Sequence, residues 1–261
     1  MSGYRVPAVV SAIRVLGHLD AQGDGGVTQS ELVEALGVSK STMHNLVRTL
    51  ESEGFVRRDA NTRRYCLGPA LIPLGAAALR QTQLIRLASD AVAPLAAHHD
   101  LSFAVAQRTA DDFAQVVERF YPPQDVHVGI TLGSRFGISE GALGKLLLAA
   151  MDADQAERLL SGRKLPAHTD LTITDPDALL REVARARERG WAVSAQELNE
   201  NNAVAASVWG PSGDVELFLI SLGFPAQLEE DRLAEIGEML RGVADSVMEA
   251  AGSTRPEPTQ P

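Results

Sequence analysis

The sequence predicts an α+β fold built from two unequal parts, and three observations support that prediction. The chain has 261 residues, which suits one large or two unequal domains at about 100–200 residues per domain. Residues 1–68 show three short helical patterns separated by glycines and then two strand-like segments. From residue 101 onward, strand-like and helix-like segments alternate irregularly, which indicates a mostly antiparallel sheet with helices packed on it.

The composition excludes several classes of protein. Hydrophobic residues make up 45% of the chain and charged residues 22%, which is ordinary for a globular protein. The longest uncharged run, Tyr65–Leu79, has 15 residues and is broken by glycines and prolines, so we expect no membrane span. No signal peptide is recognisable, and Cys66 stands alone, which excludes an intrachain disulfide and a cysteine-based metal site. We expect a cytoplasmic protein without a cofactor.

The first two helices are predicted from apolar spacing and from the residues at their ends. Val6–Leu19 has apolar residues every three or four positions, which is the pattern of an amphipathic helix. A second helix begins after Thr28, because Thr28 and Glu31 have the spacing of a capping box, in which each side chain bonds the backbone of the other residue. Gly37 can adopt the left-handed conformation that ends a helix.

A third helix follows at once, and with the second it predicts a helix-turn-helix. Ser39 is expected to cap this helix, which runs to about Glu53 with its apolar stripe on one side. Phe55–Arg58 and Arg64–Leu67 are strand-like and are joined by a turn-rich segment, so they predict a β-hairpin, or wing. Residues 1–68 are therefore expected to form a winged helix-turn-helix.

The distribution of charge points to nucleic acid, although the whole chain carries a net charge of −10. Residues 1–68 hold eight basic and seven acidic side chains, a net charge of +1, and the remainder holds 16 basic and 27 acidic ones, a net charge of −11. Local positive charge on an acidic protein is typical of a phosphate-binding surface, although a generic polar helix face or a winged helix that binds only protein would look similar. The candidate DNA contacts lie outside the apolar stripe of the third helix and on the wing: Ser39, Lys40, Ser41, Thr42, His44, Asn45, Arg48, Arg63 and Arg64.

The rest of the chain predicts a linker helix followed by the sheet. Pro69–Arg86 is rich in Ala and Leu, and its helix is expected to start in earnest after Gly75. Ser139 is expected to cap one later helix, and Pro94 to kink or end another. The predicted helices cover 84–98, 141–151, 152–160, 176–189 and 229–250, and the predicted strands cover 101–107, 113–120, 126–132, 191–195, 203–209 and 216–223, with a turn at 111–112.

Several segments resemble the isocitrate lyase regulator (IclR) family of bacterial transcription factors, and the resemblance extends over residues 8–250. In the first part it lies in Val27–Val56 and in the Tyr-x-Leu-Gly ending of Arg64–Gly68. The sequence departs from the family pattern at residues 137–142 and 201–202, which leaves the identity of a ligand open. In the second part the resemblance is carried by Gly133, Ala142–Ala149, Arg189–Glu197, Ala203–Ala206 and Ile220–Pro225.

The resemblance implies a DNA-binding transcription regulator whose operator affinity is controlled by a small-molecule effector, and not an enzyme. It implies a winged helix-turn-helix over residues 1–68, a linker helix over 69–82, a GAF-like effector-binding and dimerisation domain over 83–251, and a disordered tail over 252–261. Because one recognition helix reads only a few base pairs, we expect a homodimer or tetramer on a pseudo-palindromic operator of double-stranded DNA.

The effector pocket implied by the resemblance has a small and nearly uncharged lining around the start of one helix. Since it contains no Arg or Lys, backbone N–H groups and hydroxyls would have to hold the ligand, for which an organic acid is the expected class. The same small residues could instead only allow helix and sheet to pack closely. The pocket residues are Gly133, Ile138, Ser139, Gly141, Ala142, Ser194, Ala203, Ser221 and Gly223.

Two alternatives stand beside this interpretation, and one further pattern, a histidine pair, is considered with them. Residues 137–141 match Gly-x-Ser-x-Gly, so a Ser139-dependent hydrolase is the enzyme alternative, although the one later histidine, His168, follows only 29 residues on. His98, His99 and Asp100 could suggest a metal ion, but adjacent helical residues point about 100° apart, so we expect no metal site. The second alternative is a regulator of the same family that works without a ligand.

Overall fold

The computed structural model describes residues 6–75, 83–110 and 112–256, and it divides the chain into two compact units. The first unit comprises Met1–Gln81 and the second comprises Thr82–Pro261. The predicted linker helix beyond residue 75, Asp111 of the predicted turn and the end of the predicted tail lie outside the described residues.

The first unit begins with three α-helices and continues with a hairpin. α1 spans Pro7–Ala21, α2 spans Gln29–Leu36 and α3 spans Lys40–Ser52. The hairpin pairs β1, Val56–Arg58, with β2, Tyr65–Leu67, in antiparallel fashion. This order confirms the winged helix-turn-helix that the sequence predicts.

The helix ends of this unit are those that the sequence predicts. The Thr28 hydroxyl accepts from the Glu31 N–H at 3.3 Å and the Glu31 carboxylate accepts from the Thr28 N–H at 2.7 Å, so the capping box is formed. Gly37 ends α2 with φ 65°, and Ser39 Oγ caps α3 by accepting from the Thr42 N–H. Side chains from all these elements meet in one core: Val15, Leu19, Val27, Leu32, Met43, Val47, Val56 and Tyr65.

The second unit is built on a six-stranded sheet. Its helices are α4 (Gln83–His99), α5 (Gly141–Ala149), α6 (Ala153–Leu160), α7 (Pro176–Arg189) and α8 (Glu230–Ala250). Its strands are β3 (Ser102–Arg108), β4 (Ala114–Phe120), β5 (Arg135–Phe136), β6 (Trp191–Ala195), β7 (Asn202–Trp209) and β8 (Val215–Gly223). The strand order is β5-β4-β3-β8-β7-β6 and every neighbouring pair is antiparallel, which confirms the predicted fold class.

The two faces of this sheet pack against different helices, because successive residues of a strand point to opposite sides. On one face, alanines of β3 and β7 share a core with Leu146 of α5. On the other face, Phe103 lies 6.3 Å from His99 of α4, measured between ring centroids. On that same face, the Trp191 Nε1–H donates to the Glu238 carboxylate of α8 at 3.0 Å. The sheet is therefore covered by helices on both sides.

The strand predicted over Val126–Leu132 is wrong, because these residues form a loop between β4 and β5. Side chains satisfy its backbone in place of a neighbouring strand. Ser102 Oγ donates to the Val128 carbonyl at 2.7 Å. The Tyr121 hydroxyl donates to the Ile130 carbonyl at 2.8 Å and accepts from the Ile130 N–H at 3.0 Å. Because side chains bond these backbone groups, the segment can do without a neighbouring strand. Strand pairing with β4 on this side begins at β5.

Three smaller expectations need correction, two of them only in part. Glu140, not Ser139, is the N-cap residue of α5. Of the two effects expected of Pro94, to kink or to end its helix, the second does not occur, because α4 runs through Pro94 to His99. Residues 252–256 of the predicted disordered tail are placed against the sheet, because the buried Ser253 donates its hydroxyl to the Trp209 carbonyl at 2.7 Å.

Candidate nucleic-acid interface and effector cavity

α3 presents a polar face because its apolar residues are committed to the core of the first unit. Met43 and Val47 have exposed fractions of 0% and 1%. The polar side chains on the rest of the helix lie at the surface: Lys40, Ser41, Thr42, His44, Asn45 and Arg48. A helix of this kind fits the major groove, where amide and guanidinium groups read base edges.

Hydroxyl groups organise the amino-terminal end of α3. Ser39 Oγ lies 3.0 Å from Ser41 Oγ and 2.8 Å from Thr42 Oγ1, in addition to its capping bond. Part of the hydrogen-bonding capacity at this end is therefore used within the helix. The exposed donors farther along α3 include the carboxamide of Asn45 and the guanidinium of Arg48.

Asp59 holds the turn of the wing in shape. Its carboxylate accepts from the Thr62 N–H at 2.7 Å, the Asn61 N–H at 3.0 Å and the Thr62 hydroxyl at 2.9 Å. These bonds, the Thr62 N–H foremost, keep the pKa of Asp59 below its ordinary value. Arg63 follows the turn with φ 57°, and its side chain is exposed. The hairpin thus presents this cation from a fixed backbone.

Arg64 is placed differently from the DNA contact that the sequence predicts. Its Nε–H donates to the carbonyls of Gly25 and Gly26 at 2.9 and 3.0 Å. Its Nη2 lies 3.0 Å from the Glu31 carboxylate. Arg64 therefore ties β2 to the loop before α2, and Arg63 remains as the predicted wing contact. Two other exposed cations of the wing, which the sequence analysis did not select, are Arg57 and Arg58.

The second unit contains a cavity of about 190 Å³ between the start of α5, the sheet and the 126–134 loop. Its apolar lining includes Val116, Val128, Ile130, Phe136, Leu143 and Ile220. Its polar lining includes Thr131, Ser134, Glu140, Ser194, Asn199 and Asn201. No Arg, Lys or His occurs among the described residues that line it. The cavity is therefore amphipathic, with a single ionisable group.

Four predicted pocket residues line this cavity: Gly141, Ala142, Ser194 and Ala203. Gly141 has φ 58°, and a Cβ built on it would lie 2.9 Å from Ser194 Oγ, so both the backbone and the space require glycine here. Ser194 pairs directly with Ala203 across β6 and β7, which places both side chains on the same face of the sheet.

Ser221 and Gly223 lie on the opposite face, which corrects the predicted pocket. Ala203 pairs with Leu222 across β7 and β8, so Leu222 is the residue of β8 that lines the cavity there. Its neighbours in sequence must point the other way, and a Cβ on Gly223 would meet the Leu101 side chain at 2.6 Å. Without the strand register, an error of one residue exchanges the two faces.

The other three predicted pocket residues are absent from the cavity lining within the described residues. Gly133 has φ 82° and donates its N–H to the Val116 carbonyl, so it serves the loop backbone. Ile138 packs against two apolar clusters. Ser139 is half-buried beside α5 and outside the cavity, so its position gives no support to a hydrolase.

Glu140 is the lining residue that the sequence analysis missed. It is the N-cap residue of α5, and its carboxylate accepts from the Gly137 N–H at 2.7 Å. The signal was present, because an acidic residue directly before a predicted helix favours the positive end of the helix dipole. An acidic side chain of the protein therefore stands at the helix end that was expected to receive a ligand's carboxylate.

A buried ion pair ties α5 to the loop over residues 196–201, which borders the cavity. Lys145 is only 3% exposed, and its Nζ lies 2.6 Å from the Glu197 carboxylate and 2.7 Å from the Val193 carbonyl. The Thr172 hydroxyl donates to the Glu197 carbonyl at 2.6 Å. The loop supplies two asparagines to the cavity lining, so these bonds hold part of its wall in place.

The histidine pair considered as a metal site lies at the end of α4. The rings of His98 and His99 are 5.5 Å apart, edge to face, and burial lowers the pKa of His99. Within residues 6–75, 83–110 and 112–256, no group of three or more His, Cys, Asp or Glu side chains could hold a metal ion. Among the same residues, no helix combines the length and the apolar character that a membrane crossing requires.

Comparison with known protein families agrees with this architecture. The IclR helix-turn-helix domain matches residues 8–60, and the C-terminal domain of the bacterial transcriptional regulator IclR matches residues 76–249. The chain therefore belongs to the IclR family of DNA-binding bacterial transcriptional regulators.

Individual relatives cover nearly the whole chain. The HTH-type transcriptional regulator Rv1719 of Mycobacterium tuberculosis is 33% identical over 242 residues, which is 90% of this chain and 88% of that protein. The crystal structure of an IclR transcriptional regulator from Alicyclobacillus acidocaldarius is 34% identical, with a TM-score of 0.87 over 95% of this chain and 100% of that one. An IclR homolog from Microbacterium hydrocarbonoxydans, complexed with 4-hydroxybenzoate, shares the fold at 22% identity, with a TM-score of 0.75 over 93% of this chain and 99% of that one.

Proposed function

We propose that this protein is a non-enzymatic regulator that binds double-stranded operator DNA through α3 and the wing and responds to a small effector in the cavity. The observation that carries the proposal is the exposed polar face of α3, held outward by the buried Met43 and Val47. Asn45 and Arg48 would contact bases, and Arg63 would contact the phosphate backbone. As a regulator of bacterial transcription, the protein would work in the cytoplasm.

The cavity supports effector control, since it lies inside the unit that follows the DNA-binding unit in the chain. The neighbour from Microbacterium hydrocarbonoxydans is complexed with an organic acid, 4-hydroxybenzoate. An organic acid is also the class expected from the sequence, whereas the cavity itself holds the carboxylate of Glu140 and, among its described lining residues, no Arg, Lys or His. We propose residues 1–68 as the DNA-binding domain, 69–82 as the linker and 83–251 as the effector-binding domain.

A homodimer, or a tetramer made of dimers, is the proposed assembly. An apolar stripe is exposed at the start of α1 and at Val6, the N-cap residue before it: Val6, Val9 and Ile13 are 50%, 55% and 63% exposed. Beyond the wing, Ile72 and Leu74 are 72% and 54% exposed. Exposed apolar patches of this kind mark protein interfaces, and a two-fold dimer would match a pseudo-palindromic operator.

The test of DNA recognition compares two substitutions on a promoter fragment selected from the protein's own genome. Asn45→Ala should weaken specific binding by about 1–3 kcal/mol and relax base preference, because a base contact is lost. Arg63→Ala should weaken all sequences alike and reduce the salt slope, because a phosphate contact is lost. Gln22→Ala, an exposed amide beside α1, is the matched control.

Two outcomes would count against the proposal. If Asn45→Ala and Gln22→Ala bound the fragment equally well, α3 would not be the reading helix. If no small molecule changed either DNA affinity or thermal stability, the ligand-independent alternative would replace effector control.

A further inference from the structure

We propose that the cavity selects a ligand without net negative charge, which offers an ammonium or hydroxyl donor to Glu140 and an acceptor to the first turn of α5. This ligand class rests on the proposed effector function and concerns the same cavity. It differs from the organic acid that the sequence favours, and the difference comes from a side chain that the sequence analysis did not select.

The charged groups of the cavity are the first reason. Glu140 is its single ionisable lining residue among those described. Lys145, on the same helix, already directs its ammonium to the Glu197 carboxylate and the Val193 carbonyl. A carboxylate ligand would therefore share the cavity with a carboxylate and meet no free cation from this lining. Two carboxylates that share a site repel each other until one of them takes up a proton.

The amino-terminal end of α5 is the second reason for this ligand class. The first N–H groups of a helix have no partner within the helix and favour negative charge beside them. At α5 the protein supplies that charge itself, since Glu140 is the N-cap residue and is anchored by the Gly137 N–H. The N–H groups of Gly141 and Ala142 can then bind a neutral acceptor, while the carboxylate of Glu140 still has acceptor capacity for a donor.

Ser194 is an independent sign that a polar ligand belongs here. It is 3% exposed, lines the cavity and faces Gly141, yet its side chain forms no hydrogen bond within the described part of the chain. A hydroxyl that faces a cavity and has no protein partner normally meets a ligand or water. Ser194 can donate to or accept from a group that lies between Glu140 and the sheet.

The size and the apolar walls of the cavity define the rest of the ligand. Aliphatic side chains from β4, β8 and the 126–134 loop, together with the aromatic Phe136 of β5, form the apolar part of the lining. A cavity of about 190 Å³ exceeds the engineered apolar cavity of about 150 Å³ that binds benzene in another protein. A ligand with a six-membered ring and one polar substituent therefore fits.

The experiment uses three probes with the same ring and different charge: benzylamine, benzyl alcohol and benzoate. Their affinities for the full chain are measured by calorimetry at pH 7. We expect benzylamine or benzyl alcohol to bind at least about tenfold more tightly than benzoate. In Glu140→Gln, the affinity for benzoate should rise about tenfold and the affinity for benzylamine should fall about tenfold. The reason is that the negative charge of Glu140, which repels the first probe and attracts the second, has been removed. Glu157→Gln, which changes an exposed carboxylate on α6, is the matched control and should leave all three affinities unchanged.

A second variant tests the cavity without altering its charge. Ser194→Ala should weaken the tighter neutral or cationic probe by about fivefold. It should leave the thermal midpoint of the unliganded protein unchanged, because the hydroxyl that it removes faces the cavity. A hydroxyl with a purely structural role would lower that midpoint instead.

The results separate the two donor types and the two proposals. Preference for benzylamine alone identifies an ammonium ligand, and preference for benzyl alcohol alone identifies a neutral one. Tightest binding of benzoate with the same order in Glu140→Gln overturns the ligand class, and so does the absence of binding by all three probes. In either case, loss of operator binding in Asn45→Ala would leave the DNA-binding proposal standing.

Discussion

The two candidate sites differ in how far function is separated from packing. On α3, Asn45 and Arg48 lie at the surface while Met43 and Val47 form the core contacts, so different residues do the two jobs. In the second unit the cavity is part of the core, since Leu143 both lines it and belongs to a buried apolar cluster. Substitutions on α3 should therefore change binding alone, whereas substitutions at the cavity should change binding and stability together.

This difference suits the two tasks. A surface that reads DNA has to present hydrogen-bonding groups to a rigid groove, and exposed side chains on a helix can do so without altering the fold. A cavity inside a close-packed core cannot be filled or emptied without affecting its walls, because such interiors transmit strain. In this protein the 196–201 loop and α5 are joined by one ion pair and form one wall of the cavity. We therefore expect a change inside the cavity to affect these two elements most.

The largest effect that we predict is in the cavity wall. Lys145→Ala leaves the Glu197 carboxylate buried without its cation, and we expect the second unit to lose about 3–5 kcal/mol of unfolding free energy. Urea unfolding followed by tryptophan fluorescence measures this, because both tryptophans of the chain, Trp191 and Trp209, belong to the second unit.

The double variant Lys145→Met with Glu197→Leu is the control for this prediction. It removes both charges, so it should recover most of the lost stability if burial of an unpaired charge is the cause. If Lys145→Ala were as stable as the unmodified chain, residues at the cavity wall would not contribute to the stability of the second unit as we expect.

A smaller effect is expected where the cavity meets the start of α5. Gly141→Ala forces a side chain to φ 58° and places its Cβ 2.9 Å from Ser194 Oγ. We expect a loss of about 1–3 kcal/mol from overpacking, together with weaker probe binding. Gly162→Ala is a matched control, since Gly162 has φ 68° but no atom within 4 Å of the added Cβ. Equal losses in the two variants would assign the effect to backbone strain and not to the cavity.

The features that the sequence predicts correctly are local ones. Thr28, Gly37 and Ser39 act on backbone groups within a few residues, so their spacing alone identifies the ends of α2 and α3. Strand order and register are not local. Ser221 was assigned to the wrong face because its direction depends on which residue of β7 it pairs with.

The prediction of a strand over residues 126–132 is wrong for the same reason, because strand pairing is not a local property of the sequence. The apolar residues of this segment are those of a strand, but Ser102 and Tyr121, distant in sequence, satisfy its backbone. The sequence predicts the pocket from small residues and hydroxyls, and neither criterion selects Glu140. The sequence contained the residue, but not the fact that its side chain would share a cavity with Ser194.

The wing offers a test within the first unit, where one predicted DNA contact has become part of the packing. Arg63→Ala should weaken DNA binding and leave the thermal midpoint unchanged. Arg64→Ala should lower the stability of the first unit by about 1–2 kcal/mol, because it removes bonds to the Gly25 and Gly26 carbonyls. Circular dichroism melts and binding at several salt concentrations distinguish the two. If both substitutions changed only DNA affinity, Arg64 would be a binding residue and not a packing residue of the first unit.

The smallest effect that we predict is a pH dependence of the first unit. The Thr28 N–H bond, and to a lesser degree Arg64, lower the pKa of Glu31 in the folded protein. Since the folded pKa lies below the unfolded value of about 4.3, the stabilisation is present above that value and is lost as the pH falls through the folded pKa. Glu31→Gln keeps an acceptor for the capping bond but cannot ionise, so its thermal midpoint should fall less steeply below pH 4.3 than that of the unmodified chain. Glu34→Gln, on an exposed residue of the same helix, should keep the original slope, and identical slopes in all three proteins would show that Glu31 does not couple ionisation to folding.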